Sequence, residues 1–315
     1  MERASGGALG ARTETKPAMA SAKKAESIKP GTPVRRGAKL LLTSAVATTF
    51  ECLPAALAGE VETGIHDMRV AAKRLREQMR LFAPVYHRHE FIAAMERVDA
   101  LNDTLGVVRD ADVLLEHLAL CGQASLVDAV GEAIAAERAA SQQKLTAVLA
   151  GLKAEKFSPW LQQLIDVGRH DQHHAVAGQT CKRFARAEIG ERVNKVAHRL
   201  ATVTDEHDAD GLHRVRVANK HLRYAIEPFI GLFDKRLAQA FRPVAELHGL
   251  LGDLHDLDVL AARLTKYATR VGRQTEADSL TAHLVPQRAE RYLKLRPFLD
   301  GEQAGPLTKA KRFRT

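Results

Sequence analysis

Residues 64–82 read GIHDMRVAAKRLREQMRLF, and residues 211–229 read GLHRVRVANKHLRYAIEPF. A shift of 147 residues aligns the glycine, histidine, arginine, lysine and phenylalanine positions that the two stretches share. A second pair follows at a shift of 146, where LGVVRDADVL at 105–114 matches LGDLHDLDVL at 251–260. Upstream, Arg35-Arg36-x-x-Lys39 matches Lys182-Arg183-x-x-Arg186. The chain is therefore internally duplicated, and each half is long enough for about four helices.

Helical periodicity runs through nearly the whole body of the sequence. From about residue 34 to residue 299, apolar residues recur at i, i+3, i+4 and i+7, and no segment alternates as a strand does. We predict an all-α fold of eight or nine helices, arranged as two four-helix bundles related by a pseudo-twofold. The halves are 34–168 and 178–299. Residues 1–33 lack large apolar side chains and are expected to be disordered, and 300–315 form a basic tail.

The repeated stretch predicts a one-sided basic helix. At 100° per residue, one arc holds the apolar side chains Ile65, Met68, Ala72, Leu75, Met79 and Phe82. The adjacent arc holds His66, Arg69, Lys73, Arg76 and Arg80, and the second copy supplies His213, Arg216, Lys220 and Arg223. A solvated surface normally mixes charges of both signs, whereas these stripes repel themselves and therefore favour an anionic ligand. Two stripes facing each other would line a positive channel that suits a linear polyphosphate.

Composition supports a polyanionic partner without specifying it. The chain of 315 residues carries a formal net charge of +9, with 45% hydrophobic, 27% charged and only 5% aromatic residues. The sequence predicts a cytoplasmic protein, because its three cysteines are widely spaced and its start does not read as a secretory signal. It also predicts no membrane span, because the apolar run at 40–50 is shorter than the roughly 20 residues that cross a bilayer. Nucleic acid is a weaker alternative, because the aromatic side chains on which single-stranded bases stack are scarce.

The duplicated H-x-x-R-V-x-x-K-x-L-R pattern and the L-G-x-x-[RH]-D-x-D-V-L segment resemble the CHAD family, the conserved histidine α-helical domain. The resemblance covers about 34–299 and implies two four-helix bundles around a basic pore that binds inorganic polyphosphate, with association with polyphosphate or polyhydroxyalkanoate granules. It implies that the pore is lined by His66, Arg69, Lys73, Arg74, Arg76, His213, Arg216, Lys220 and Arg223. Arg36, Lys39, Arg183 and Arg186 would add phosphate contacts. His221 stands where the family usually has arginine, which would weaken one contact or make it pH-dependent.

Two groups of residues could instead form a metal or catalytic site. The aspartate pairs Asp110/Asp112 and Asp256/Asp258 are expected to cap helices or hold the arginines, and their alternative role is to bind a metal in a polyphosphate phosphohydrolase. The cluster His170-x-x-His173-His174 is interpreted as part of a linker, with metal binding as the alternative. No Walker motif is present, and Glu60-Val61-Glu62 lacks the lysine of the E-x-E-x-K signature found in CYTH triphosphatases. We therefore expect a binding domain with no cofactor, no metal and no catalysis.

Overall fold

The computed structural model describes residues 28–86, 88–119, 124–167, 176, 178–233, 235–270 and 272–301. The tails predicted for both ends fall largely outside these residues, as does the His170, His173 and His174 cluster. Ten α-helices occur in the described part: α1 (Val34–Glu51), α2 (Leu53–Leu57), α3 (Asp67–Phe82), α4 (Arg88–Ala119), α5 (Ala124–Ala154), α6 (Phe157–Val167), α7 (Cys181–Leu200), α8 (Ala209–Ile226), α9 (Lys235–Arg270) and α10 (Gln274–Leu299). Its only β-type pairing is an isolated bridge between Pro33 and Thr180. The all-helical prediction is confirmed.

The first repeated stretch begins later as an α-helix than its periodicity predicts. Val61–His66 forms a π-helical turn, and α3 starts at Asp67. Gly64 lies against the α2 backbone, where a Cβ would come within 2.6 Å of the Ala55 carbonyl carbon. In the second copy, the Gly211 N–H donates to the Oδ1 of the N-cap Asp208 at 2.7 Å. The shared glycine thus allows two backbone segments to pack closely in one half, and it donates to the helix-capping aspartate in the other.

The apolar face predicted for the first copy is confirmed. Its six members, Ile65, Met68, Ala72, Leu75, Met79 and Phe82, are all fully buried. Phe82 stacks on Phe184 of α7 and meets Phe229 edge-to-face, so the apolar end of α3 packs against the second half of the chain. Burying side chains of this size stabilises the fold by roughly 1.5–3 kcal/mol each.

Two separate apolar cores lie along the long helices. The larger includes α1, α3, α6, α7 and α8 together with one part each of α4, α5, α9 and α10. The smaller joins the other parts of these four long helices, through side chains such as Leu114, Ile134, Leu260 and Leu280. The change from one core to the other falls between Val108 and Ala111 on α4 and between Leu254 and Leu257 on α9. Both aspartate pairs of the sequence repeat therefore lie at or next to the boundary between the cores.

The starts of α1 and α7 are joined by a reciprocal pair of hydrogen bonds. The Val34 N–H donates to the Gln179 carbonyl at 2.8 Å, and the Cys181 N–H donates to the Thr32 carbonyl at 2.7 Å. The 147-residue shift exchanges the donor and acceptor positions of these two bonds. Gly37 permits the close approach, because a Cβ there would lie 2.3 Å from the Cys181 sulfur. Burial raises the pKa of this thiol to about 11, so it stays protonated at neutral pH.

One segment is long and apolar enough to cross a bilayer by length and composition. It is Val34–Leu57, which α1 and α2 form together, and it is the only such segment in the described part of the chain. Val34, Ala38, Leu42 and Val46 of this segment are fully buried in the larger core, where α1 packs on α3 and α6. Burial in this core accounts for these four side chains, while only 22% of the most apolar stretch of the segment is buried. The expected absence of a membrane span stays a prediction.

Candidate functional site

The two basic stripes of the sequence meet where α3 packs on α8. We define the basic seam as the cations that act on one another across this contact: Arg69, Lys73, Arg76 and Arg80 of α3, with Arg216 and Lys220 of α8. The cations predicted from the repeat are thus brought together from positions about 147 residues apart along the chain.

Lys73 lies at the centre of the seam. Its pKa is lowered to about 7, first by burial and then by the charges of Arg69, Lys220 and Arg216, which Asp110 opposes. A lysine with this pKa is only partly protonated at neutral pH, because burial and the surrounding cations make its ammonium form costly. An anion bound beside it would restore the charge. The seam is therefore a site whose own charge is incompletely compensated.

The α8 members show the same imbalance. Burial lowers the pKa of Lys220, and the charges of Arg76, Arg216 and Arg80 add to the effect against the opposing charge of Glu77. The pKa of Arg216 is also lowered, first by burial and then by Arg69, although Asp256 and Asp110 partly offset this. Arginine remains charged even so, and the lowered pKa does not remove the positive charge of Arg216 at neutral pH.

Equivalent arginines in the two halves each hold an unsatisfied donor. The Nε atoms of Arg69 and Arg216 are buried, and neither has a hydrogen-bond acceptor among the described residues. Nε of Arg76 is also buried without a hydrogen bond, but it forms an ion pair with Asp99 Oδ1 at 3.6 Å. Leaving a buried donor of a charged group unpaired costs about 1–3 kcal/mol or more. The described residues therefore supply no acceptor for the matching Nε donors of Arg69 and Arg216.

The first aspartate of each repeated pair interacts with a seam arginine. Asp110 Oδ1 lies 2.8 Å from a terminal nitrogen of Arg69, and the matching Asp256 raises the pKa of the matching Arg216. The second aspartate of each pair serves another helix. Asp112 Oδ1 accepts from Arg138 of α5 at 2.5 Å, and Asp258 Oδ1 accepts from Arg288 of α10 at 2.6 Å. All four lie inside α4 or α9, so the helix-cap alternative is wrong because no helix begins beside them.

Glu77 is a buried carboxylate beside the seam cations that the sequence pattern did not single out. Its side chain is 5% exposed and lies within 3.4 Å of Arg76 and Arg80 of its own helix. Its Oε2 is 2.6 Å from Nδ1 of His221 on α8. Burial alone would raise the pKa of this carboxyl, but the His221 bond and the charges of Lys220 and Arg76 lower it overall. His221 therefore contacts a carboxylate of the protein itself.

Two further predicted cations share a second carboxylate at the edge of the seam. Arg74 of α3 and Arg223 of α8 contact opposite oxygens of Glu227, at 3.2 and 3.1 Å. These two contacts link α3 to the end of α8, next to the seam.

The two predicted histidines lie near the starts of the repeated helices. His66 ends the turn before α3, and His213 is exposed with its ring centroid 5.7 Å from that of His255. Burial and the Arg216 charge lower the pKa of His255.

The cations predicted on the first helix of each half lie elsewhere. Arg36 is exposed near the start of α1, and Lys39 forms an ion pair with Asp166 of α6 at 3.1 Å. Arg183 and Arg186 line a cavity of about 680 Å³ beside the start of α7, together with Lys182. No seam residue lines this cavity.

In the described part of the chain, no cluster of three or more His, Cys, Asp or Glu side chains could hold a metal ion. The aspartates of the repeat face arginines instead: Asp110 faces Arg69 of the seam, and Asp112 and Asp258 face Arg138 and Arg288 outside it.

The comparisons with known proteins agree with this architecture. The family model for the CHAD domain matches residues 40–265, well over half of the chain. The structure is similar to the crystal structure of the CHAD domain from the plant Ricinus communis, with a TM-score of 0.67 and 24% identity over 90% of this chain and 94% of that one. It is also similar to PptA from Streptomyces chartreusis, with a TM-score of 0.58 and 15% identity over 89% of this chain and 100% of that one.

At these identities the two structures establish the fold alone. No curated protein matches the sequence. The family model, the duplicated motif and the helical fold lead to one conclusion: the chain belongs to the CHAD domain family.

Proposed function

We propose that the protein binds inorganic polyphosphate in the basic seam and does not turn it over. The observation that carries the proposal is the pair of buried, unsatisfied Nε donors on Arg69 and Arg216, the same position in the two halves. Guanidinium groups match phosphate oxygens in geometry as well as charge. A polyphosphate offers a row of such oxygens with no base to accommodate, and membership of the CHAD family makes it the favoured polyanion.

The seam forms the wall of a basic pore between two four-helix bundles related by a pseudo-twofold. Three features support this arrangement: the reciprocal hydrogen bonds between the starts of α1 and α7, the contact between α3 and α8, and the equivalent partners Asp110 and Asp256 of Arg69 and Arg216. In the cell, the protein would act in the cytoplasm as a module that holds polyphosphate, at polyphosphate or polyhydroxyalkanoate granules.

A competition titration at near-physiological salt tests the proposed ligand. Labelled long-chain polyphosphate is displaced by unlabelled polyphosphate, or by single-stranded DNA or RNA matched for phosphate number. We expect polyphosphate to compete at least about 100-fold more strongly, because the seam offers phosphate donors without aromatic platforms for bases. Equal competition would instead make the protein a general polyanion binder. The same samples, assayed for released inorganic phosphate, separate binding from hydrolysis.

Polyphosphate affinity should fall as the pH rises above 7. Free Lys73 has a pKa of about 7, and a bound phosphate would favour its ammonium form, so binding takes up a proton at higher pH. We expect affinity about tenfold weaker at pH 8.5 than at pH 6.5, since each pKa unit corresponds to a factor of ten. Calorimetry in buffers of different ionisation enthalpy measures the proton uptake.

The matched variant is Lys73→Arg, which keeps the charge at all of these pH values. Its affinity should be nearly flat between pH 6.5 and 8.5. His255 does not interfere, because burial and Arg216 lower its pKa from the usual 6.5. If Lys73→Arg kept the pH profile of the unsubstituted protein, another group would be responsible.

A further inference from the structure

The cavity beside the start of α7 is a second basic site with its own architecture. Three cations line it, Lys182, Arg183 and Arg186, against one carboxylate, Glu191. No ion pair links these cations to a carboxylate of the described residues. The lining therefore carries an excess of positive charge that the described part of the chain does not neutralise.

Arg186 holds the most informative atom of this cavity. Its Nε is buried and has no hydrogen-bond partner among the described residues, as is the case for the seam arginines. Its counterpart under the 147-residue shift, Lys39, is engaged with Asp166 at 3.1 Å. Of these two equivalent cations, Lys39 is therefore ion-paired within the protein, whereas Arg186 keeps a donor with no acceptor among the described residues.

The wall opposite the helix is fixed in place. The segment before α1 crosses the start of α7, where the Pro30 carbonyl accepts from the Lys182 N–H at 3.3 Å and the Thr32 carbonyl accepts from the Cys181 N–H at 2.7 Å. Thr180 caps α7, and its hydroxyl accepts from the Arg183 N–H at 3.3 Å. The backbone of this wall is therefore held in place before a ligand binds, which lowers the entropic cost of ordering it.

We propose that this groove is a separate oxyanion site that takes short condensed phosphates, such as diphosphate or triphosphate. Two guanidinium forks and an ammonium group suit a ligand with several phosphate oxygens, and a cavity of about 680 Å³ has room for more than one phosphate unit. Free short phosphates and the end of a longer chain share this chemistry. The site does not depend on binding in the seam, because the two share no lining residue.

Calorimetric titration of the full-length protein with triphosphate, without divalent metal, tests the proposal. The groove variant is Arg183→Gln/Arg186→Gln, and the matched control is Lys195→Gln/Arg199→Gln, which removes the same charge further along α7. We expect the unsubstituted protein and the control to bind triphosphate with the same affinity. The groove variant should bind it at least tenfold more weakly. An Arg69→Gln/Arg216→Gln seam variant should keep the affinity of the unsubstituted protein. Titration with long-chain polyphosphate then shows whether a chain end uses the same groove.

Each outcome separates the two sites. A groove variant that binds triphosphate like the unsubstituted protein, or a control that weakens equally, overturns the groove site. Loss of binding in the seam variant alone supports the proposed function and contradicts the groove. Loss in the groove variant alone supports the groove, and the seam is then judged separately by the titration of Arg69→Gln/Arg216→Gln with long-chain polyphosphate. Arginine modification by phenylglyoxal on the unsubstituted protein, mapped by mass spectrometry, gives an independent measurement: triphosphate should protect Arg183 and Arg186 at least about fivefold, and lack of protection counts against the site.

Discussion

Replacing both Arg69 and Arg216 with glutamine is expected to weaken polyphosphate binding at least about 100-fold. The two residues hold the same position in the duplicated helices, and each presents a buried Nε donor with no acceptor among the described residues. A hydrogen bond to a charged group contributes about 1.5–3 kcal/mol, so losing two contacts costs about 3–6 kcal/mol of binding free energy. Titration of labelled polyphosphate at several salt concentrations measures both the affinity and its salt dependence, which should become shallower as fewer counterions are released.

Glutamine is the informative replacement because of Asp110. A glutamate at position 69 would face this carboxylate, whose oxygen lies 2.8 Å from the arginine it replaces. Charge reversal would therefore mix a loss of binding with a loss of stability. The control is Lys294→Gln/Arg296→Gln on α10, which removes two positive charges from exposed i,i+4 pairs. If the control weakened binding as much as the seam variant, net charge alone would explain binding and the seam would not be the site.

The periodicity of the sequence predicted the part of the fold that local pattern controls. Six apolar positions of the repeated stretch were assigned to one face, and all six are fully buried, because a helix places residues three and four apart on the same side. The repeat also located Arg69 and Arg216 as equivalent residues, which the structure places in one seam. Duplication supplied this information, because the two stripes carry the same residue types at the same spacing.

The features that the sequence did not reveal depend on contacts between distant segments. Glu77 looked like a local counter-charge in a basic stripe, and only the packing of α3 on α8 brings His221 to 2.6 Å from it. Its counterpart in the second half is Tyr224, an asymmetry that could have drawn attention to it. The division of the long helices between two cores, and the groove beside α7, likewise follow from tertiary packing.

Removing the charge of Glu77 should destabilise the free protein more than any other single change in the seam. Its side chain is 5% exposed and lies against Arg76, Arg80 and His221. Glu77→Gln leaves these groups without their buried counter-charge, and breaking a buried ion pair in this way costs about 3–5 kcal/mol. Thermal unfolding should show a midpoint lower by roughly 6–12 °C, at about 2 °C or slightly more per kcal/mol in a chain of this size. The control, Glu188→Gln, breaks a partly exposed i,i+4 pair with Arg192 and should change stability by no more than about 0.5 kcal/mol.

Bound polyphosphate should reduce this deficit to less than half, because the polyanion supplies the negative charge that the variant lacks. Acid should also reduce the difference in stability between the Glu77→Gln variant and the unsubstituted protein. The folded state holds the pKa of Glu77 below its ordinary 4.5, so its contribution is present above that pH and is lost as the pH falls through the lowered value. The unfolding midpoints of the two proteins should therefore converge as the pH falls from 4.5 through the lowered pKa of Glu77. A deficit that polyphosphate leaves unchanged would place the bound chain away from Glu77, and hence outside the seam.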